Sequence, residues 1–361
     1  MRNELIIMMI AILLALGIIL SQGPRKSQDK DKQESEVKTV TITVTTSSVW
    51  DRSKPMKEID ISNMPYLRQG EITIYYFEPA QHRLAQEISQ ALTTSWRLVA
   101  KRLGILLGTL KVALIALAEA ERAELGGVYI RQQVQVRQPL KSLFQRPPES
   151  PEPPFPVIVP PDLQSLREAD PNTQSSIYVT MPHEALHQVV SKALDKGWRF
   201  DPQTRGLEDG LAEYIGHLVA RELSPAAYQW HIKRRVEAVR DLLQRREHPT
   251  YDLTREFPGH ITMSTSLRRE SSQEPSQDSS LEELAGYSVA LAFWLQIAQK
   301  HGEGVIKTFW QRLSQRGFPS AKEAAQILSE LTGEDIWAKL QKMDLHEVLR
   351  TLEQAGALAQ P

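Results

Sequence analysis

The sequence predicts an α+β fold, with a strand-bearing N-terminal lobe and a mainly helical C-terminal lobe. Three observations point there. Period-two alternation of β-branched and polar residues recurs early, in VKTVTITV at 37–44 and VYIRQQVQV at 128–136. From 281 onward the apolar spacing is helical, punctuated by Gly302, Gly317 and Gly333. The chain has 361 residues, 41% of them hydrophobic and 24% charged, enough for one large folded domain or two modest ones.

Taken in order, the chain begins with an unbroken apolar run of 16 residues at 5–20, LIIMMIAILLALGIIL. As a helix it would reach about 24 Å, a little short of the ~30 Å hydrocarbon core and longer than a usual signal-peptide apolar region. Residues 1–21 are read as a membrane-anchor helix or signal segment, with an uncleaved anchor preferred because Pro24 directly follows the weak small-x-small site at Ser21, Gln22 and Gly23. Arg2 lies before the run while Arg25, Lys26, Lys30 and Lys32 follow it, a charge pattern that mildly opposes an exported body. Residues 22–36 are polar and without apolar period, and 22–67 as a whole is taken as a flexible spacer and extension that includes the strand at 37–44.

A strand is predicted at 71–77 and a helix at 79–103, where Leu84, Ile88, Leu92, Trp96 and Val99 share a face and Gly104 stops the run. The apolar stretch LKVALIAL at 110–117 reads as a buried strand rather than a second span, because Lys111 interrupts it and Gly104 and Gly108 break it. Residues 146–161 are proline-dense and read as a polyproline-like connector or surface loop, unable to form helix or central strand. A short strand is expected at 177–180, leading into a helix. The segment 246–281 reads as a long insert, its Ser- and Gln-rich part (264–281) a low-complexity loop, and 346–361 as a C-terminal tail.

Composition narrows the chemistry. A net charge of -1 offers no footprint for nucleic acid. The absence of cysteine excludes disulfides, thiolate catalysis and Cys-ligated metal, so any metal must be held by His and carboxylate. In MPHEALHQVV, His183 and His187 are four apart and stack on one helical face, with Glu184 on its adjoining edge. Two imidazoles, an open position and a neighbouring base are what a hydrolytic zinc site requires. A third ligand is needed, and GLEDGLAEY supplies Glu208, Asp209 and Glu213. Asp209 follows His187 by 22 positions, room for a reversal of chain, and shares a helical face with Glu213. Asp209 is the preferred ligand, with Glu213 in a supporting role on a ligand His, and Glu213 or Glu208 as alternative ligands. Gly210 is expected where the two helices approach. His217 is read as a structural or supporting His, and His231, His248 and His260 as surface residues.

HEALH followed by EDGLAEY resembles the gluzincin metallopeptidases, the thermolysin and aminopeptidase type, and is most similar to the peptidase MA-like group. The resemblance covers approximately 68–345. It implies a zincin-like fold with an N-terminal mixed sheet lobe, zinc as cofactor, and peptide or protein as substrate. His183, His187 and Asp209 would be the metal ligands and Glu184 the catalytic base. Tyr287, in AGYSVAL, resembles the Tyr that the family places near the reacting carbonyl. The family's ligand Glu aligns with Asp209, one methylene shorter. By the same analogy the body is expected outside the cytoplasm on a single-pass anchor. The competing expectations are a catalytically degenerate zincin-like protein acting as a membrane-anchored binding module, and a membrane-tethered scaffold working through its Pro- and Ser-rich loops.

Overall fold

The structure is a computed structural model and describes residues 37–45, 56–116, 127–137, 155–159, 171–194, 203, 205–257, 277–316 and 319–357. The apolar run at 5–20 lies outside them. Among the described residues no helix is long and apolar enough to cross a membrane. The chain divides into two compact units. One, residues 1–40 and 135–148, contains only strand ends among the described residues; the other, residues 41–134 and 149–361, holds the architecture below.

The strands are β1 (Val37–Thr45), β2 (Met56–Asp60), β3 (Tyr66–Gln69), β4 (Ile72–Tyr75), β5 (Leu110–Ala116), β6 (Gly127–Arg137) and β7 (Phe155–Val159). One sheet has the order β1-β6-β2, with β2 and β6 parallel. A second has the order β3-β4-β5-β7, antiparallel between β3 and β4 and parallel thereafter. β5 shows why LKVALIA is so apolar. Leu110, Val112 and Leu114 face the main core, while Ala113 and Ile115 pack with Ile59 and Ile61 on the other side. A parallel strand covered on both faces loses the polar half of its alternation. The strand is the predicted one, and the second-span alternative falls away.

Three strands correct the sequence reading. β2 and β3 lie inside or beside the stretch taken as a spacer. β7 arises within the proline-dense stretch, where Phe155–Val159 pair in register with Val112–Ala116. Val157, Ile158 and Val159 supply the strand propensity, and Pro156 is tolerated because β7 ends the sheet among the described strands.

The helix α1 (His82–Leu103) buries Leu84, Ile88, Leu92, Trp96, Val99 and Leu103 along one face and ends on Gly104, whose φ of 66° is the left-handed cap geometry. The indole Nε1 of Trp96 donates to the Gly108 carbonyl at 3.0 Å, holding the return loop. The remaining helices are α2 (Pro171–Ser175), α3 (Met181–Leu194), α4 (Arg205–Leu223), α5 (Pro225–Arg245), α6 (Gln277–His301), α7 (Glu303–Gln315), α8 (Ala321–Thr332), α9 (Ile336–Gln341) and α10 (Leu345–Ala357). A two-stranded ribbon joins β8 (Thr250–Tyr251) to β9 (Met343–Asp344).

The expected strand at 177–180 is not one. Ser176–Thr180 form a π-helical turn between α2 and α3, making one helical run from Pro171 to Leu194. Ile177, Tyr178 and Val179 favour strands as isolated residues, but packing decides the outcome. α4 passes so close that a Cβ on Gly216 would stand 2.6 Å from the Val179 carbonyl oxygen. The long insert is corrected in part: Tyr251, Leu253 and Phe257 are buried in the main core, and α6 begins at Gln277. Within the stretch set apart as a tail, α10 buries Val348, Leu352 and Ala355, and Tyr228 of α5 donates to the Ala355 carbonyl at 2.6 Å.

α4 is the axis of this unit. Every residue from Arg205 to Ala220 except Glu208 is buried. It packs on α3, α5, α6 and the π-helical turn.

Candidate metal centre

Four-residue spacing along α4 aligns Arg205, Asp209, Glu213 and His217 on one face of a buried helix. Polar groups in that setting must find partners or lose free energy. α3 supplies them, with His183 and His187 one turn apart.

The three preferred ligands converge. His183 Nε2 and His187 Nε2 are 2.9 Å apart. Asp209 Oδ1 lies 3.0 Å from the His187 nitrogen and 3.6 Å from the His183 nitrogen. Four ligands at roughly 2.05 Å around a tetrahedral zinc would be about 3.3 Å from one another, so the triangle is close to the right size. Asp209 Oδ1 is buried and takes no hydrogen bond among the described residues. The donor set, two imidazoles and one carboxylate, suits a divalent cation. His183, His187 and Asp209 could hold a metal ion.

The other ring nitrogens meet carboxylates. His187 Nδ1 is 3.1 Å from Glu208 Oε1, and His183 Nδ1 is 3.3 Å from Glu213 Oε1. Both glutamates weighed as alternative ligands thus stand on the outer side of a candidate ligand His. There they orient the ring and set which nitrogen carries the proton. Glu213 Oε2 in turn accepts from Arg235 Nη2 at 2.8 Å, with His231 Nε2 at 3.5 Å.

The electrostatics follow from these contacts. Burial disfavours a charged His183, but Asp209 and Glu213 outweigh it and raise its pKa to about 9. For His187 burial is likewise opposed by Asp209 and Glu208, and the net shift is upward. Burial alone would push the carboxyl of Glu213 up; Arg235, His183 and His231 reverse this and bring it to about 2. Asp209, against its burial, is held well below the usual carboxylate range by His187, His183 and Arg205. A cluster of ionised carboxylates around two imidazoles calls for positive charge, which protons or a metal ion can supply.

Glu184, the expected base, is half-buried on α3, and its charge acts on His187. The ring of Tyr287, on α6, meets that of His183 at 64° with centroids 5.8 Å apart. Its hydroxyl accepts from Arg205 Nη2 at 2.8 Å. Burial and then Asp209 raise its pKa, so the phenol keeps its proton. A small apolar pocket borders the site between α3, α4 and α7, lined by Leu186, Val190, Leu211, Phe309 and Trp310, with Glu208 as its carboxylate.

Gly210 permits a close approach, but to α6 rather than α3: a Cβ there would stand 2.8 Å from Trp294 Cδ1 and 2.9 Å from the Ala290 carbonyl oxygen. His217 is buried against Tyr228, and burial followed by His231 lowers its pKa, keeping it neutral. His231, expected at the surface, is buried; burial and Arg235 lower it to about 3. It belongs to a helix whose buried face also carries Arg235, a pairing that no local motif announces. His248 is exposed and His260 lies outside the described residues. Arg205 escaped the sequence reading although it sits four residues before Asp209, the spacing of a helical ion pair.

No protein-family model matches this chain, and no curated protein matches it significantly.

Proposed function

We propose that the chain is a zinc-dependent peptide hydrolase tethered to a membrane. The observation that carries this reading is the convergence of His183 Nε2, His187 Nε2 and Asp209 Oδ1 with a carboxylate facing the outer nitrogen of each ring. His183, His187 and Asp209 would hold the ion. Bound there, zinc would supply Lewis acidity toward a water and a carbonyl oxygen. Glu184 accepts the water's proton and returns it to the leaving amine, the role its place beside His187 suits. Glu208 and Glu213 would accept the Nδ1–H of the two rings, leaving each Nε2 lone pair to the ion. Tyr287, protonated, donates to the carbonyl oxygen as negative charge develops there. The apolar run at 5–20 supports the tether, and the HEALH and EDGLAEY motifs support the gluzincin-like class.

The test is elemental analysis of the full purified chain together with a peptide-cleavage assay. The wild type is expected to carry about one zinc per chain and Asp209→Ala to lose it. Glu184→Gln should keep the zinc and lose roughly 10²–10⁴-fold in cleavage rate. Wild type without zinc after reconstitution would end the metal reading. Zinc without cleavage of any peptide would favour the second reading, a metal-binding module without turnover, which the shorter Asp209 arm motivates.

A further inference from the structure

We propose that Arg205 is a positioning residue: it confines Asp209 to a single coordinating oxygen and orients the Tyr287 hydroxyl as a donor. This rests on the metal reading above. Arg205 is 3% exposed and sits one turn before Asp209 on α4. Its Nε donates to Asp209 Oδ2 at 2.8 Å. Its Nη2 donates to Tyr287 Oη at 2.8 Å and to Glu283 Oε1 at 3.0 Å. The guanidinium lies over the Phe257 ring, 4.2 Å from its centroid, which fixes the plane of the fork.

Two consequences follow. A carboxylate can bind a cation through one oxygen or two, and a second oxygen would fill the position that a hydrolytic site leaves open. With Oδ2 engaged by Arg205, only Oδ1 faces the two His nitrogens. Asp209 also has a short arm, so its angle of approach depends on what holds its far side. At the other end, the Tyr287 oxygen receives a hydrogen from Arg205. Its own O–H therefore points elsewhere and is available to a substrate oxygen. One planar side chain thereby sets the ligand and the donor together. A buried ion pair is weak evidence for stability on its own, since apolar replacements are often as stable. Here the partners are a candidate ligand, a candidate donor and a carboxylate at the rim, and that combination is what a positioning role requires.

Cobalt(II) loading of the full chain reads the coordination directly, because four-coordinate cobalt absorbs visible light far more strongly than five- or six-coordinate cobalt. The wild type should show the intense spectrum. Arg205→Gln should weaken it and lower metal affinity by about 10–100-fold, the effect of losing an outer partner of a ligand. Arg205→Lys keeps the charge but cannot reproduce the fork, so it should follow the Gln variant. Circular dichroism checks that each variant is folded. If both polar variants unfold, Phe257→Leu loosens the guanidinium while leaving every charge in place, and it should dim the spectrum in the same sense. A folded variant with wild-type spectrum and affinity overturns the inference and leaves the metal reading standing. Wild type that binds no cobalt removes the metal reading and this inference with it.

Discussion

Glu213 shows how a single buried carboxylate is made tolerable. It is 5% exposed and faces His183 on one oxygen and Arg235 and His231 on the other. Removing one partner of such a pair leaves an uncompensated buried charge. Arg235→Met should therefore destabilise the protein by about 3–5 kcal/mol, measured by urea unfolding of the metal-free chain. The double variant Arg235→Met with Glu213→Leu should recover much of that loss, because apolar groups can replace a buried pair. If the single variant unfolds at wild-type urea concentration, Glu213 is solvated and the account of its place behind His183 is wrong. Arg205 and Arg235 divide the work: one holds the third candidate ligand, the other holds the carboxylate behind the first.

At the scale of elements, the site depends on how closely three helices can approach. The π-helical turn widens the helix just before Met181, and Gly216 allows α4 to lie against its Val179 carbonyl. Such turns often mark functional sites because they re-aim the residues that follow. Gly216→Ala should cost about 1–3 kcal/mol in thermal or urea stability, the usual penalty of overpacking a rigid backbone contact. Because His183 comes only three residues after the turn ends at Thr180, metal affinity should fall with it. A variant of unchanged stability and affinity would show that α3 and α4 have slack there. Gly210 plays the matching part toward α6, where Trp294 is fully buried and its Nε1 donates to the Leu207 carbonyl at 3.0 Å. This contact fixes the start of α4, and hence Asp209, against the helix that carries Tyr287.

For the molecule as a whole, the charged cluster links stability to pH. In the metal-free protein His183 has a folded pKa of about 9, above its ordinary value of 6.5. A group raised on folding stabilises fully below its unfolded pKa and loses that contribution as pH rises through the folded one. The metal-free melting temperature should therefore fall between about pH 6.5 and pH 9. Glu213 works in the opposite sense. Lowered from 4.5 to about 2, it contributes above its unfolded pKa and is lost as pH falls through that range. Metal-loaded protein, in which both imidazoles must be neutral, should lack the alkaline loss. Melting curves of the two forms across pH 5–10 provide the check, and parallel curves would mean that metal and protons do not compete at these nitrogens.

The division between sequence and tertiary structure follows from the range of the interactions. HEALH and EDGLAEY were legible because helical spacing is local: four residues place His183 above His187 and Asp209 beside Glu213 wherever the helix goes. Strand β5 and helix α1 were legible for the same reason, as periodic apolar patterns with stops. The sequence preferred Asp209 as the third candidate ligand, but the atoms that face the paired imidazole nitrogens were not legible. Glu208, Asp209 and Glu213 are of similar chemistry, and only the angle between α3 and α4 turns Asp209 inward and sends the two glutamates to the outer nitrogens. His231 and Arg235 reach the site from a helix with no motif. Ser176–Thr180 is helical against its own propensity because α4 covers it, and Phe155–Val159 is a strand because β5 offers an edge. Local periodicity determined the candidate ligands and the helices that carry them. Packing between distant segments decided which atoms meet, because desolvation and close approach act only once those segments are together.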